Sequence, residues 1–283
     1  MAPLTIARPR RVVGPKSYRR LILYAAPSVC LMYTSDLFWM PFSHSHNARE
    51  LEAQRHGNQL LGLLPPAVLE DLALHLKTVS LKPKQVVFRA HTPLAAAYFP
   101  ITCVISLLTR LKSGETPEVG LVGRDGMGSI AVFPGVNTMP CDGVILIPGT
   151  AYRMDTDVIR QKVHQGGPLH DALGRYAHLT LARSMQTAAC NSVHPVHERC
   201  VRWLLMTHDL VENDGFPLTQ DVLAMMLGVR RPSVTIVARA LQRAGLIDYR
   251  RGRVKILDRQ GLEAASCECY RLMREEQRRL LGY

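Results

Sequence analysis

Residues 218–249 constrain the chain more than any other stretch, because two helical patterns flank a glycine there. Thr219 is a residue type that favours the N-cap of a helix. The apolar residues after it recur at i, i+3 and i+4 spacing, which predicts one buried stripe, and they are Val222, Leu223, Met226 and Leu227. Gly228 ends the pattern, since glycine adopts the left-handed C-cap conformation without a Cβ penalty. The first predicted helix therefore follows Thr219 and stops at Gly228.

A second helix is predicted to begin near Arg231, with Pro232 in the first turn, where its missing N–H is no loss. Its inward stripe is apolar and comprises Val234, Val237, Ala238 and Leu241. Its outward residues are Arg231, Ser233, Thr235, Ile236 and Arg239. Ala224 lies four residues before Gly228 and is small enough to let the second helix cross closely. Such a pair is typical of a helix-turn-helix, whose second helix enters the major groove of DNA.

A basic hairpin is predicted after the second helix. The apolar residues around Ile247 and Tyr249 and the run 254–257 flank a turn of sequence Arg-Arg-Gly-Arg at 250–253, where Gly252 suits a tight β-turn. Positions 230–259 contain nine Lys or Arg residues and two acidic ones. The alternative is an ordinary helical hairpin with a charged, solvated face. The agreement of Gly228, Ala224, the basic helix start and the basic hairpin favours DNA binding.

The stretch from Thr219 to Leu241 resembles the winged helix-turn-helix of the Crp/Fnr family of bacterial transcription regulators. That family carries Arg-Glu-Thr-Val in its second helix, with another Arg one turn later. Arg231, Ser233 and Val234 match the pattern, whereas Pro232 replaces the Glu and Ile236 replaces the second Arg. These departures bear on the operator sequence and not on the mode of docking.

The predicted DNA contacts divide by chemistry. Arg231, Ser233 and Thr235 are expected to choose the sequence, because Arg can bond guanine bidentately and hydroxyls can bond bases. The full set of predicted contacts is Thr219, Gln220, Arg230, Arg231, Ser233, Thr235, Arg239, Arg250, Arg251 and Arg253. A single helix-turn-helix also predicts a homodimer on a pseudo-palindrome, and RNA polymerase is a candidate partner.

The charge of the chain is concentrated at its ends. The formal net charge is +12, and it divides into +5 over residues 1–50, +1 over residues 51–217 and +6 over residues 218–283. A basic balance favours a polyanionic partner. The seven cysteines are scattered without a CxxC pair, and Cys267 and Cys269 stand too close in sequence for a usual zinc knuckle. We therefore expect a reducing cytoplasm, no metal and no membrane association.

The predicted fold class is α+β, in four segments. Residues 1–50 are a basic, poorly ordered extension, and Met40 would begin a chain of ordinary proportions for the family. Residues 51–165 carry a helical entry broken at Pro65-Pro66 and then short β-runs, at 79–81, 85–89, 97–99, 103–111, 118–122, 129–133, 143–147 and 151–154. The resemblance implies that this segment is the double-stranded β-roll of cyclic-nucleotide-binding domains.

The third segment, residues 166–193, is predicted to be a long dimerisation helix. Its residues at 4,3 spacing form a coiled-coil-like seam, and they are Leu173, Tyr176, Thr180, Arg183, Thr187 and Cys190. The fourth segment, residues 194–283, is the winged helix-turn-helix domain. It begins with a helix at 197–211, contains a turn at Asn213-Asp214-Gly215 and ends with a helix at 261–281.

The β-roll contains a glycine-rich turn that is the candidate effector site, at Gly123, Arg124, Gly126 and Gly128. Cyclic-nucleotide binding needs backbone donors and an Arg for the phosphate. The family's ribose-binding Glu is absent, and Asp142 lies near the expected phosphate position, where its carboxylate would repel it. We therefore expect an effector other than cyclic AMP, either a small molecule or a redox signal.

Other classes of function are disfavoured by missing motifs. Dinucleotide, Walker, HExxH and GxSxG patterns do not occur, so no enzyme is predicted and no cofactor is assigned. An Fnr-type iron–sulfur cluster needs several N-terminal cysteines, and only Cys30 is present there. The alternatives left open are a cyclic-nucleotide-responsive regulator that uses the roll pocket and a roll-based interaction module that binds no DNA.

Overall fold

The computed structural model describes residues 57–283, and the predicted basic extension lies outside the described residues. The entry segment is helical on both sides of the proline pair, as expected. A 3-10 turn at Leu61–Leu63 precedes helix α1 at Pro66–Ala73, in which Pro66 occupies the first turn. Leu60, Leu61 and Leu72 are buried in the first core. No helix within residues 57–283 is long and apolar enough to span a bilayer.

The β-region forms two antiparallel sheets that together make the predicted roll. The first sheet has the order β1-β7-β3 and the second has the order β2-β6-β4-β5. The strands are β1 Lys77–Leu81, β2 Val86–Phe88, β3 Ala96–Pro100, β4 Val104–Leu108, β5 Glu118–Val122, β6 Asp142–Ile147 and β7 Gly149–Asp155. Alternating burial along β6 and the fully buried Phe99 and Ile105 show that the two sheets enclose an apolar interior.

The strand prediction for residues 129–133 is wrong. Ile130–Val132 is a 3-10 turn, and Ser129 before it has a left-handed backbone (φ 74°) that a strand cannot contain. The Ser129 hydroxyl donates to the carbonyl of Ala96, which fixes this conformation. Val132 is nevertheless buried in the first core. The apolar residues that predicted a strand therefore pack against this core from a 3-10 turn instead.

A short helix and a long helix follow the roll at the predicted places. They are α2 at Thr156–His164 and α3 at Pro168–Val193. The predicted seam on α3, however, faces the chain's own core. Leu173, Tyr176 and Cys190 are almost fully buried within the one chain. Arg183 donates a 2.8 Å hydrogen bond to Gln277 and forms a 2.8 Å ion pair with Asp125, both in the same chain. The 4,3 spacing was therefore recognised correctly, but its assignment to a partner helix is corrected.

The C-terminal region is a helical domain with a small sheet. Its elements are α4 Val196–Asp209, β8 Gly215–Pro217, α5 Gln220–Leu227, α6 Arg231–Arg243, β9 Ile247–Arg250, β10 Arg253–Ile256, α7 Arg259–Ala264 and α8 Glu268–Leu281. Two predictions are corrected here. The single helix at 261–281 is two helices, α7 and α8, with Ala265–Cys267 between them. Gly215, predicted in a turn, begins β8, which pairs with β10.

The last helix, α8, packs along α3 and not on the helix-turn-helix alone. Arg183 of α3 donates to Gln277 of α8 at 2.8 Å, and Gln277 is buried. Tyr283, beyond the end of α8, donates its hydroxyl to the carbonyl of Asp125 in the roll at 2.9 Å. The C-terminus therefore returns to the first domain.

A second contact joins the roll to the C-terminal region through α4. The Trp203 indole N–H donates to Glu118 Oε1 at 2.7 Å, and the Ser106 hydroxyl donates to Glu118 Oε2 at 2.6 Å. Val104 and Ile147 of the roll belong to the same apolar core as the helix-turn-helix. Burial raises the pKa of the Glu118 carboxyl from 4.5 to about 7, although both hydrogen bonds and the charge of Arg202 oppose the shift.

We expect ionisation of the Glu118 carboxyl to lower the free energy of unfolding as the pH rises. A pKa raised in the folded state means that Glu118 contributes stability below pH 4.5, and that this contribution is lost as pH rises through about 7. Glu118→Gln should flatten the dependence of the urea unfolding midpoint on pH between 4.5 and about 7. Glu115→Gln, on an exposed loop nearby, is the matched control and should keep the wild-type profile. Identical profiles for Glu118→Gln and wild type would contradict the assignment.

Candidate nucleic-acid interface

The first helix of the predicted pair is capped at both ends as its sequence indicated. The Thr219 hydroxyl accepts a hydrogen bond from the Val222 amide at 3.2 Å. Gly228 has φ 62°, and its amide donates to the carbonyl of Met225 at 3.2 Å. Ala224 is buried where α6 crosses α5. The local predictions for α5 are confirmed.

The second helix presents the predicted outward face. Its inward stripe, Val234, Val237, Ala238 and Leu241, is buried. Arg231, Ile236 and Arg239 are exposed, whereas Ser233 and Thr235 are half-buried. α6 begins at Arg231, with Arg230 as its N-cap and Pro232 in its first turn, so two arginines lie at this end of the helix. This end carries the partial positive charge of the helix dipole, which favours an anionic ligand.

The wing is a hairpin with a two-residue turn. Arg250 pairs with Arg253, and Arg251 and Gly252 between them both have positive φ, 48° and 71°. That combination defines a type I′ turn, in which glycine suits the second position. The carbonyl of Gly252 accepts from the Leu218 amide at 2.8 Å, so the wing tip lies beside the start of α5.

Burial raises the pKa of the Tyr249 phenol above its usual value. Tyr249 is half-buried and lies opposite Val254 in the hairpin. The phenol therefore supports the hairpin, while the guanidinium groups at the turn supply its charge.

Several of the predicted contact residues have polar partners within the chain. Arg231 pairs with Asp221 at 3.5 Å, and Arg250 pairs with Asp248 at 2.7 Å. Arg231, Asp221 and Arg250 are well exposed and Asp248 is half-buried. Ion pairs at such a surface contribute little, so exchanging these carboxylates for DNA phosphates costs little. The Thr235 hydroxyl lies 2.7 Å from Gln220 Oε1 and 3.1 Å from the Arg231 carbonyl, and its one proton serves one acceptor at a time.

The remaining arginines of the set are uncompensated. Over residues 57–283, Arg230, Arg239, Arg251 and Arg253 have no carboxylate within ion-pair distance, and all four are exposed. They lie on α6, immediately before it and on the wing. The structure thus brings the predicted basic residues to the start of one helix and the tip of one hairpin.

The candidate effector turn is occupied by side chains of the same chain. A Cβ atom on Gly126 would lie 2.0 Å from the Tyr176 hydroxyl, so Tyr176 packs directly on the turn. Asp125 is buried and pairs with Arg183 at 2.8 Å. Arg124 is mostly buried and lies 3.6 Å from Glu212. The guanidinium that would hold a phosphate is therefore directed at a carboxylate of the C-terminal region.

Asp142 is also committed to local structure. Its Oδ1 accepts from the Ala90 amide at 2.7 Å, and its Oδ2 lies 3.4 Å from Arg110. Both oxygens of this carboxylate therefore have partners within the roll.

The comparisons with known proteins agree with this architecture. Residues 198–265 match the family of Crp-like helix-turn-helix domains. A CRP-family transcriptional regulator from Thermus thermophilus is 16% identical, with a TM-score of 0.55 over 67% of this chain and 96% of that one. FixK2 from Bradyrhizobium japonicum is 12% identical, with a TM-score of 0.54 over 68% and 98%. The c-di-GMP-responsive regulator CLP of Xanthomonas campestris is 19% identical, with a TM-score of 0.52 over 69% and 100%.

No curated protein matches the chain. The fold is nevertheless that of Crp/Fnr-type regulators, with a cyclic-nucleotide-binding-like roll before a Crp-like helix-turn-helix domain.

Proposed function

We propose that this Crp/Fnr-type chain is a sequence-specific DNA-binding regulator that acts as a homodimer. The observation that carries the proposal is the geometry of α6, whose outward face is exposed and whose basic first turn lies beside a basic wing. This is the arrangement by which a winged helix-turn-helix places one helix in the major groove. The protein would act in the cytoplasm, with RNA polymerase as the proposed further partner and without catalytic activity of its own.

Sequence choice is assigned to the outward residues of α6. Arg231 has an exposed guanidinium at the start of the helix, where bidentate bonding to guanine is feasible. Ser233 and Thr235 supply hydroxyls within the next turn of the same helix. Ile236 is 71% exposed, which is unusual for an isoleucine. In a groove it would contact a thymine methyl group, so we expect a thymine where a second Arg would read guanine.

Affinity is assigned to residues that reach phosphates. Arg230 and Arg239 flank the base-reading face of α6, and Thr219 and Gln220 stand at the start of α5. Arg250, Arg251 and Arg253 project from the wing. Phosphate contacts fix position and release counterions without reading sequence.

Arg231→Ala and Arg251→Ala should separate these two roles. We expect Arg231→Ala to cost about 1–3 kcal/mol on the selected operator and to relax preference at one base pair. Arg251→Ala should weaken selected and random duplexes alike and reduce the salt slope by about 1. The operator is first selected from random duplexes with the wild-type chain, and binding is then followed by fluorescence anisotropy at several salt concentrations. Equal losses on both duplexes for Arg231→Ala would refute base reading by Arg231.

The proposed dimer uses a face of α3 that differs from the predicted seam. Leu181 and Met185 are 57% and 65% exposed, and Ala188 and Ser192 continue the same 4,3,4 spacing. These four positions fall within about 60° on a helical wheel, opposite Tyr176 and Cys190. Exposed large apolar side chains in a row are costly unless they are covered. If the α3 helices of two copies packed against each other through this face, parallel or antiparallel, each helix would cover the exposed row of the other.

Glu substitutions test this face directly. Met185→Glu should convert a dimer to a monomer in sedimentation, since it buries a charge in an apolar contact, and should weaken binding to a two-half-site operator. Leu74→Glu is the matched control, because Leu74 is 82% exposed on the roll. A wild-type chain that sediments as a monomer both free and on DNA would refute the homodimer.

We propose that the effector is neither cyclic AMP nor cyclic GMP. The filled turn at Gly126 and the commitment of Asp142 to Ala90 support this proposal. The alternative, a cyclic-nucleotide-responsive regulator, would need Tyr176 and Arg124 to turn away from their present partners.

Isothermal calorimetry at millimolar cyclic AMP or cyclic GMP should show no heat of binding. Binding at micromolar concentration that is abolished by Arg124→Ala would overturn the proposal and restore the glycine-rich turn as the effector site. Arg271→Ala is the control, since Arg271 is exposed on α8 and pairs with Glu275, away from that turn.

A further inference from the structure

Four potential metal ligands converge where the end of α3 meets the start of α8. They are Cys190, His194, Cys267 and Cys269, and their sulfur and ring nitrogen atoms all lie within 4.8 Å of one another. Cys190 and His194 lie at the end of α3, and Cys267 and Cys269 lie at the start of α8. Cys190 and Cys267 are 77 residues apart along the chain. We call this group the cysteine–histidine cluster. It lies apart from the DNA-binding face and from the glycine-rich turn.

We propose that the cysteine–histidine cluster binds one zinc ion with tetrahedral geometry. Three thiolates and one imidazole are a ligand set that structural zinc sites use. The sequence spacing alone did not reveal it, because Cys267-x-Cys269 completes the set only with residues from another helix. The proposal is independent of the proposed DNA-binding function.

Two of the distances within the cluster match those between ligands of a single ion, and the others are no longer than 4.8 Å. Cys190 Sγ lies 3.6 Å from Cys267 Sγ, and Cys269 Sγ lies 3.6 Å from His194 Nδ1. A tetrahedron with Zn–S bonds of about 2.3 Å has edges of about 3.8 Å, and an edge to a nitrogen is slightly shorter. A disulfide would need sulfurs about 2.05 Å apart. A [4Fe–4S] cluster would hold each ligand on a separate iron, which spreads the ligands farther.

The surroundings of the cluster orient its ligands. His194 directs Nδ1 at the cluster, while its Nε2 lies 3.3 Å from Glu268 Oε2. A carboxylate on the far nitrogen of a ligating histidine fixes the tautomer and raises the basicity of the ring. The Gln186 side-chain amide donates to Cys269 Sγ at 3.0 Å. A hydrogen bond of this kind stabilises a thiolate, which is the form that binds metal.

The cluster is buried but it is not part of an aliphatic core. Cys190, Cys267 and Cys269 are at most 5% exposed, and among the described residues they form a buried apolar group of their own. Cys267 is the N-cap of the 14-residue helix α8, and Cys269 lies in its first turn. The positive end of the α8 dipole would offset part of the negative charge that three thiolates bring to one zinc ion.

A metal at this place would fasten α8 to α3. The helices also meet through Arg183 and Gln277 farther along. Zinc binding to the folded chain alone would add its binding free energy to stability. Removal of the ion should therefore loosen the C-terminus and lower the melting temperature.

The full-length chain, purified with reductant, tests the proposal. We expect one equivalent of zinc per chain by mass spectrometry of the metal content. After chelation, Co²⁺ should restore one equivalent and produce the intense visible bands of tetrahedral cobalt with thiolate ligands. Chelation should lower Tm by about 5–10 °C, and Zn²⁺ should restore it. This arm uses only the wild-type chain, so it does not depend on the folding of any variant.

Variants then assign the ligands. Cys269→Ser and His194→Ala should lose the cobalt bands or bind Zn²⁺ at least about 10-fold more weakly. Cys200→Ser is the matched control, because Cys200 is equally buried but lies in the second core. The cobalt bands of this variant should be the same as those of the wild-type chain. The proposal is overturned if the wild-type chain binds no stoichiometric metal, if both ligand variants retain tetrahedral cobalt, or if Cys190 and Cys267 form a disulfide in the native protein.

Discussion

The ion pair between Asp125 and Arg183 is the contact on which the arrangement of the chain depends. Asp125 is 2% exposed, and Arg183 meets both its carboxylate and the buried amide of Gln277 at 2.8 Å. Removing one partner of such a buried pair leaves an uncompensated charge, which is far more costly than the pair itself is favourable. One guanidinium therefore fixes the roll, the long helix and the last helix in a single geometry.

That geometry determines which face of α3 is available. With Arg183 and Tyr176 turned toward the roll, the opposite side of α3 carries Leu181 and Met185 into solvent. The same rotation places Tyr176 against Gly126, where a cyclic nucleotide would need space. The orientation of α3 therefore accounts both for the filled glycine-rich turn and for the exposed apolar row. The packing at the glycine-rich turn and the exposure of the apolar row are therefore physically linked in this chain.

Predictions from the sequence were accurate where the interactions join residues close together in the chain, and they failed where the interactions join residues far apart in it. Thr219, Gly228 and the turn at Arg251-Gly252 were predicted correctly because caps and tight turns depend on a few neighbouring residues. The orientation of α3 was wrong because its 4,3 spacing encodes a buried face but not the element that covers it. The cysteine–histidine cluster was missed for the same reason, since Cys190 and Cys267 meet only through tertiary packing. The roles of individual arginines on DNA stay predictions, because no nucleic acid constrains them.

Several contacts restrain the helix-turn-helix relative to the roll, and they include the Arg124–Glu212 ion pair and the apolar core that the two regions share. On one side Trp203 of α4 donates to the half-buried Glu118, and on the other α8 lies along α3. Since α6 is packed on α4, a movement of the recognition helix must either carry α4 away from Glu118 or bend the chain at Pro195, just after His194. Glu118 and His194, a proposed zinc ligand, lie at these two places. An effector that altered DNA binding would act most directly by changing such a contact, because the element of the C-terminal region that it holds would then be free to move.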